Sequence, residues 1–531
     1  MNSQDEVPEL VSGWFAAGVT RRQILGRLLA LGFTLPSAST LLAGCNGGAG
    51  SSGGSTKSKV SIGIVQEPTS LDPTIDPTAS ISLLLRDNVY EGLVRLTPDL
   101  RIVPALAKSW DVSPEGTTFT FHIQTGVKFH DGTPLTAQDV KWSWDRARDP
   151  NKKPSNPHSD YFGPVQSIDV SDDHTVKVTL SAYSDNWLFH MAAGSASIMS
   201  QRSAANNTTS PVGTGPFRFL AWNKGASLTL NRNNAYWGHT ARLTEVLFKF
   251  ITDANAMNNA LKAGDIDAIG QVGGPEQVAS FKSDSRFRVL EGAPVGKLIV
   301  AMNNSKPPLS DVRVRRAISA TIDRKAWIDA IQAGYAVPIG SHAVPNAGEP
   351  YYLDETQLNR YDPVRAKQLL QQAGYGGGLT LRLAQIPFPY AIRGSDILLS
   401  ELKDVGISLK VEPMEFPRWL ADVFKPGGPQ DYDLTIINHA EERDIANYGN
   451  PHYYWHYDNR QVTQWLGLAD SESAQAKRKN IYGQVQKQLA EDAANAFVMS
   501  PQTLAVPSVK LKNYPVASLS SSLFLRDTYF S

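Results

Sequence analysis

The sequence lacks the features that mark several protein classes. Its single cysteine, Cys45, excludes an intrachain disulfide. Lys and Arg together number 51, as do Asp and Glu, so the chain has no net charge to attract a phosphate backbone. It also has no basic stripe of the kind that nucleic-acid binders carry. We therefore expect no nucleic-acid partner.

Short catalytic motifs are missing as well. The chain has no Gly-x-Ser-x-Gly elbow, no His-Glu-x-x-His zinc motif and no Walker phosphate loop. We predict a protein that is not an enzyme and that needs no cofactor. A hydrolase built from unmotivated Ser, His and Asp residues is the alternative, and turnover of a bound ligand would distinguish the two.

Long apolar runs are confined to the N-terminal segment. A charged start at Arg21-Arg22 precedes a moderately apolar stretch that ends at Leu42-Ala43-Gly44-Cys45, and a Gly/Ser-rich segment follows. This order predicts a twin-arginine-type lipoprotein signal peptide over 1–44, lipidation of Cys45 and a tether over 45–57. The mature protein would then be exported and anchored by lipid to the outer face of a membrane. An amphipathic helix with a buried cysteine is the alternative.

The rest of the chain mixes strand and helix patterns. At 531 residues it is long enough for two or three domains. Alternation predicts a strand over 59–65, and helical periodicity predicts helices over 80–96, 254–263 and 312–333. A further helix is expected over 136–148, with Thr136 as its cap.

Several segments occur in an order that points to a known family. They are Glu67-Pro68-Thr69-Ser70-Leu71-Asp72-Pro73, Asn88-Val89-Tyr90-Glu91-Gly92-Leu93, Gly126-Val127-Lys128-Phe129-His130-Asp131-Gly132-Thr133-Pro134, Gly213-Thr214-Gly215-Pro216-Phe217, Tyr236-Trp237-Gly238 and Val312-Arg313-Val314-Arg315-Arg316-Ala317-Ile318. Over roughly residues 58 to 500, the chain resembles the family 5 extracellular solute-binding proteins of ABC transporters, which include oligopeptide-, dipeptide- and nickel-binding proteins.

The resemblance implies an α/β fold of the two-lobed periplasmic-binding-protein type (class II, cluster C), with an additional small domain. Its expected segments are lobe I in three parts (58–92, 213–300 and 497–531), an extra domain II (93–212) and lobe III (301–496). We expect Gly213, Gly215 and Pro216 to serve a hinge or crossing between lobes. His130 is expected at the surface or as a capping residue.

The resemblance also implies a function. The lobes would close around a small ligand, most simply a peptide, and present it to the membrane subunits of an ABC importer. A carboxylate in a loop after a late strand would meet the peptide's amino group. That loop corresponds to residues 439–457, and its expected ligand contacts are His439, Glu441, Arg443, Asp444, Tyr448, Tyr453 and Trp455. Relatives that bind dipeptides commonly carry a Trp just after the strand, where this chain has Asn438-His439.

Two questions stay open at this stage. His439, His452 and His456 suggest a metal chelate or another non-peptide solute as an alternative ligand, since imidazole suits nickel and copper. Their spacing, however, matches no standard closed metal site. Import and sensing are not separated by the sequence. We expect a monomer.

Overall fold

The computed structural model describes residues 57–75, 79–149, 151–152, 156, 158–425, 428–439, 443–516 and 522–531. The predicted signal peptide, Cys45 and most of the tether lie outside these residues, and so does Glu441. Residues Ser58–Ser531 form one compact unit. Among the described residues, no helix combines the length and hydropathy that a bilayer crossing needs.

Strands and helices alternate along the chain. The strands are β1 (Lys59–Ile64), β2 (Val94–Leu96), β3 (Ile102–Pro104), β4 (Ala107–Val112), β5 (Thr118–Ile123), β6 (Val165–Asp172), β7 (Thr175–Leu180), β8 (Phe217–Asn223), β9 (Ser227–Arg232), β10 (Glu245–Phe250), β11 (Ala268–Ile269), β12 (Leu290–Pro294), β13 (Lys297–Met302), β14 (Ala336–Pro338), β15 (Leu379–Gln385), β16 (Ile407–Pro413), β17 (Leu434–His439), β18 (Ala496–Pro507), β19 (Leu511–Lys512) and β20 (Tyr529–Phe530). The α-helices are α1 (Ala79–Leu85), α2 (Ala137–Arg148), α3 (Trp187–His190), α4 (Ala254–Ala263), α5 (Ala279–Lys282), α6 (Val312–Thr321), α7 (Arg324–Gln332), α8 (Pro363–Gln372), α9 (Pro389–Asp404), α10 (Phe416–Trp419), α11 (Arg460–Ser471) and α12 (Gln475–Glu491).

The long strand β18 joins two halves of the main sheet. Its first half pairs with β13 and β14, and its second half pairs with β11 and β12. The chain crosses from one half to the other twice: once between β12 and β13, at Val295-Gly296, and once within β18, near Pro501-Gln502. The two halves are the cores of two lobes, as predicted from the family resemblance.

Each lobe has its own sheet and its own hydrophobic core. In the first lobe, β1 lies parallel to β10 and β11, with β9 and β8 continuing the sheet antiparallel. In the second lobe, β13 and β17 run antiparallel, and β15 and β16 extend the sheet in parallel. Strands β13 and β18 are buried along most of their length, which fits their apolar sequences.

A separate four-stranded antiparallel sheet, β4-β5-β7-β6, packs against α2. Its core includes the buried Trp144 and Trp187, whose rings meet edge to face at 6.1 Å between centroids. Helix α2 begins at Thr136 as predicted, since the Asp139 carboxylate accepts hydrogen bonds from both the backbone N–H and the hydroxyl of Thr136.

Three of the sequence motifs meet at one buried carboxylate. Glu91 accepts hydrogen bonds from the Thr214 hydroxyl (2.8 Å), the Tyr236 hydroxyl (2.8 Å) and the Trp237 indole N–H (3.0 Å). Burial raises the pKa of Glu91, and these hydrogen bonds oppose that shift. Glu91 precedes the four-stranded sheet in the chain, and Thr214 follows it. These hydrogen bonds therefore hold both connecting segments against the first lobe.

The structure corrects the prediction of a hinge between lobes at Gly213, Gly215 and Pro216. A Cβ at Gly213 would lie 1.9 Å from the Val89 carbonyl oxygen, so this segment is a site of close backbone packing. The crossings between lobes lie at β12–β13 and in β18 instead. His130 is buried here and not at the surface, with Nε2 3.0 Å from the Gly215 carbonyl oxygen.

Two predicted helices are shorter than their periodicity suggested. The helix expected over 80–96 ends at Leu85, because Asp87 takes a positive φ of 61° and the chain then enters β2. The helix expected over 312–333 is two helices, α6 and α7. Asp323 caps the second by accepting a hydrogen bond from the backbone N–H of Ala326.

Candidate functional site

A cavity of about 360 Å³ lies where the two lobes meet. The first lobe contributes Val65, Gln271, Val272, Gly273 and Pro275. The second contributes Leu298, Gln332, Tyr390 and Asn438. Pro501, Gln502, Thr503 and Leu504 of the shared strand β18 complete the wall. A small-molecule site at such a junction is the usual arrangement in proteins that close around a ligand.

An ion pair joins the lobes beside this cavity. Arg393, in α9 of the second lobe, lies 3.2 Å from Glu276, which follows the cavity residue Pro275 in the first lobe. The Arg393 guanidinium lowers the pKa of Glu276. Both side chains are nearly half exposed, so the pair contributes at most about 1 kcal/mol to lobe contact.

A more buried set of contacts joins the small α/β unit to the second lobe. This unit is formed by the sheet β4-β5-β7-β6 and the helix α2 that packs against it. Asp185 lies 2.8 Å from Arg478 and 3.4 Å from Arg443. Arg443 also donates to the Asn186 side chain at 3.1 Å, and its guanidinium lies 4.4 Å from the Phe189 ring centroid. All three charged groups are largely buried, which strengthens their attraction.

A buried polar cluster lies at the start of β13, behind the cavity wall. Lys297 is fully buried, and its Nζ lies 2.8 Å from both Asp444 and Glu349. Burial opposes the charge on Lys297, but the two carboxylates outweigh that effect and raise its pKa. Burial likewise opposes ionisation of Asp444, but His342, Lys297 and His439 outweigh it and hold the Asp444 pKa well below its usual value.

Two histidines complete the cluster. His342 Nε2 and His439 Nδ1 lie 2.9 and 3.1 Å from Oδ2 of Asp444. The outer ring nitrogens also have partners: His439 contacts the Tyr454 hydroxyl at 2.8 Å, and His342 contacts the Tyr448 hydroxyl at 3.3 Å. Burial lowers the pKa of His342, and the nearby Asp444 carboxylate opposes that shift.

The chain carries the sequence pattern of a known family. The model of the bacterial extracellular solute-binding proteins, family 5 (middle region), matches residues 101–458. That match covers more than half of the sequence. The chain belongs to this solute-binding family.

Individual relatives cover most of the chain. The glutathione-binding protein GsiB of Pectobacterium atrosepticum is 26% identical over 487 residues, 87% of this chain and 91% of that protein. A putative ABC transporter peptide-binding protein of Brucella ovis is 30% identical over 457 residues, with 80% and 84% covered. The structure of AgaA from A. tumefaciens R10, in complex with agropinic acid, superposes with a TM-score of 0.76 at 27% identity, covering 89% of this chain and 99% of that one.

This solute-binding protein places its predicted contact residues in different surroundings. His439 and Asp444 belong to the buried cluster, and Arg443 faces Asp185. Tyr448 and Trp455 are fully buried, with rings stacked 4.3 Å apart in the hydrophobic core of the second lobe. Tyr453 is half-buried beside Trp455, while Glu441 lies outside the described residues. Direct ligand contact by these seven residues stays a prediction.

The predicted histidines do not come together as a metal site. His452 is exposed, and His456 contacts the Pro451 carbonyl oxygen, so only His439 reaches the cluster. His342, His439 and Asp444 have ligand-type atoms within 4.8 Å of one another. Their nitrogens, however, are already hydrogen-bonded, and the Lys297 ammonium beside Asp444 would repel a metal cation. These residues fit a structural hydrogen-bond network better than a metal site.

Sequence reasoning missed the partners of this cluster. Lys297, His342 and Glu349 lie far before the predicted loop in the chain and belong to no motif. A lysine at the start of an otherwise apolar strand, Lys297-Leu298-Ile299-Val300, was the available signal, because a buried cation requires nearby carboxylates.

Proposed function

We propose that this chain captures a short peptide outside the cytoplasm and delivers it to the membrane subunits of an ABC importer. The observation that carries the proposal is the cavity at the junction of the two lobes, in a chain of the extracellular solute-binding family. The Brucella ovis relative, named as a peptide-binding protein of an ABC transporter, supports the ligand class. Binding and release suffice, and no catalytic step is involved.

Closure follows from the way the lobes are connected. Two strand crossings hold the lobes together near the cavity, and noncovalent pairs such as Arg393–Glu276 bridge them. A ligand that touches both walls stabilises the closed form by its extra contacts there. The proposed moving bodies are residues 58–92, 213–300 and 497–531 for lobe I, 93–212 for domain II, and 301–496 for lobe III.

Glu441 is our candidate for the carboxylate that meets the peptide's amino group. It lies two residues after the end of strand β17, which contains the cavity residue Asn438. Asp444 is the weaker candidate, because its two carboxylate oxygens already contact Lys297 and His342. Arg443 contributes by joining this loop to Asp185. We further propose that the mature protein is a monomer held at the membrane by a lipid on Cys45.

Native mass spectrometry of the purified full chain tests the ligand class. The spectrum before and after gentle denaturation should show one released compound per chain, with masses that form a peptide series. Adding such a peptide at one hundred times its dissociation constant should stabilise the fold by about 2.7 kcal/mol. A single non-peptide compound, or turnover of an added peptide, would overturn the proposal.

A further inference from the structure

The carboxyl ends of three strands of the second lobe lie on the side of the interlobe cavity. Strands β15, β16 and β17 run parallel to one another, and β13 runs antiparallel to β17 with Lys297 opposite His439. The chain enters β13 directly from the crossing between lobes, so the start of β13 and the end of β17 lie at that crossing. Asn438, at the end of β17, lines the cavity. In open α/β sheets, ligands bind at this carboxyl edge.

Half-buried aromatic side chains follow all three strand ends. Phe388 and Tyr390 come after β15, Phe416 and Phe424 come after β16, and Tyr453 comes after β17. Each of the five packs against the hydrophobic core of the second lobe and leaves part of its side chain exposed. We call these five residues the aromatic arc. Aromatic surface in contact with water is unfavourable, so a ligand that covers it gains affinity.

The arc begins at the cavity wall. Tyr390 lines the cavity, and its ring centroid lies 5.8 Å from that of Phe388. The Phe388 centroid lies 5.0 Å from that of Phe416. Phe416 in turn stacks on the buried Trp419 at 5.7 Å. The Trp419 indole N–H donates to the Thr435 hydroxyl at 3.0 Å, so this part of the arc is held to β17.

The arc continues to the loop that follows β17. The Trp419 ring centroid lies 5.6 Å from that of Phe424, and Phe424 meets Tyr453 edge to face at 5.7 Å. Tyr453 packs on the buried Trp455, with 4.4 Å between ring centroids. The rings thus form an unbroken path away from the cavity. Buried tryptophans support both parts of this path, so its apolar surface is fixed by the close-packed core.

The chemistry of this surface favours one kind of ligand group. Aromatic rings stack or meet edge to face, and large aliphatic side chains bury their apolar area against such rings. The cavity beside Tyr390 offers hydrogen bonds instead, through groups such as Gln271, Gln332 and Thr503. A ligand that spans both surfaces therefore carries a polar part and one bulky apolar side chain.

We propose that the aromatic arc extends the binding site and takes an aromatic or large aliphatic side chain of the ligand, while the rest of the ligand lies in the interlobe cavity. This inference rests on the proposed function and names the side chains that the site selects. The protein should therefore discriminate among peptides by side chain, with Phe, Trp and Leu favoured over Ala and Ser.

Calorimetric titration of the full chain with Ala-Ala, Ala-Phe and Phe-Ala tests this selection. Ala-Phe or Phe-Ala should bind at least about 10-fold more tightly than Ala-Ala, since a phenyl ring is added to the buried apolar area. In Phe416→Ala this preference should fall to less than about 3-fold, while the Ala-Ala affinity changes little. Phe388→Ala is a second variant with the same expectation, and unfolding curves check that each variant is folded.

Tyr375→Ala is the matched control. Tyr375 is also half-buried against the core of the second lobe, but it precedes β15 and so lies toward the opposite edge of the sheet. The preference for a phenyl-bearing peptide should persist in this variant. Equal affinities for the three peptides in the wild type would overturn the inference. So would a preference that persists in both Phe416→Ala and Phe388→Ala, or one that is lost equally in Tyr375→Ala.

Two amides that are not peptides, 3-phenylpropionamide and propionamide, separate this inference from the peptide proposal. If the peptides bind without a preference for the phenyl group, the peptide function stands and the inference fails. If no peptide binds but 3-phenylpropionamide binds more tightly than propionamide, and Phe416→Ala removes that difference, the inference stands and the peptide function fails. If none of these compounds binds, both are overturned.

Discussion

Lys297 and Asp444 form an ion pair in the interior of the second lobe, with Nζ and Oδ1 2.8 Å apart and both side chains almost fully shielded from solvent. Lys297 begins the strand β13 that enters this lobe, and Asp444 lies in the first part of the predicted ligand loop. The pair therefore fixes this part of the loop to the crossing between the lobes.

Lys297→Met should destabilise the protein strongly. The substitution leaves Asp444 and Glu349 buried without their cation, and breaking a buried pair in this way costs about 3 to 5 kcal/mol. Lys306→Met is the matched control, because Lys306 pairs with the exposed Asp431 and its loss should cost at most about 1 kcal/mol. Chemical unfolding measures both, and equal small losses would show that the Lys297 pair is unimportant.

His130 should make stability depend on pH. Burial lowers its pKa to about 4, whereas an unfolded histidine titrates near 6.5. Between these values the unfolded chain binds a proton that the folded His130 does not, so the free energy of unfolding falls with falling pH, by up to about 3 kcal/mol.

His130→Asn removes this titration while keeping a donor and an acceptor for Gly215 and Gly213. The difference in unfolding free energy between the wild type and the variant should therefore change between pH 6.5 and pH 4. A difference that stays constant across this range would contradict the assignment to His130.

Asp185→Asn should weaken ligand binding from a distance. It removes the charge between Arg443 and Arg478, which joins the small unit to the second lobe, so the closed arrangement loses stability. We expect a dissociation constant about 10-fold higher, equivalent to about 1.4 kcal/mol. Asp111→Asn is the control in the same unit, because Asp111 is exposed and pairs with His122 within the four-stranded sheet. Unchanged calorimetric affinity in Asp185→Asn would contradict this role.

Glu441→Gln should weaken peptides that have a free amino group. A charge-assisted hydrogen bond is worth about 1.5 to 3 kcal/mol, so the dissociation constant should rise about 10- to 100-fold. The same peptide with an acetylated amino group should bind both proteins equally, and Glu442→Gln is the neighbouring control. An equal loss for free and acetylated peptides would remove Glu441 from the site.

The sequence predicted the elements whose signals are local. The alternation in 59–65 gives β1, and the periodic segment 254–263 is α4. Thr136 caps α2 because its partner, Asp139, lies within the same turn. The two-lobed α/β class was also correct, and it depended on the order of the family motifs.

Features that depend on distant contacts were not predicted. The break between α6 and α7 follows from an Asp323 cap inside a periodic segment, which periodicity alone does not show. His342 meets His439 only after folding, and nothing in its neighbourhood marks it. Tyr448 and Trp455 are buried because they join the hydrophobic core of the second lobe. A cluster of aromatic residues in the sequence has the same composition in a core as in a cleft wall.

The central claim is that a ligand closes the two lobes around the cavity. Spin labels at exposed Ser283 of the first lobe and Lys403 of the second, in a Cys45→Ser background, report the distance between lobes. Adding the compound released in native mass spectrometry should replace a broad distance distribution with a single narrow one. An identical distribution with and without that compound, at saturating concentration, would contradict the account.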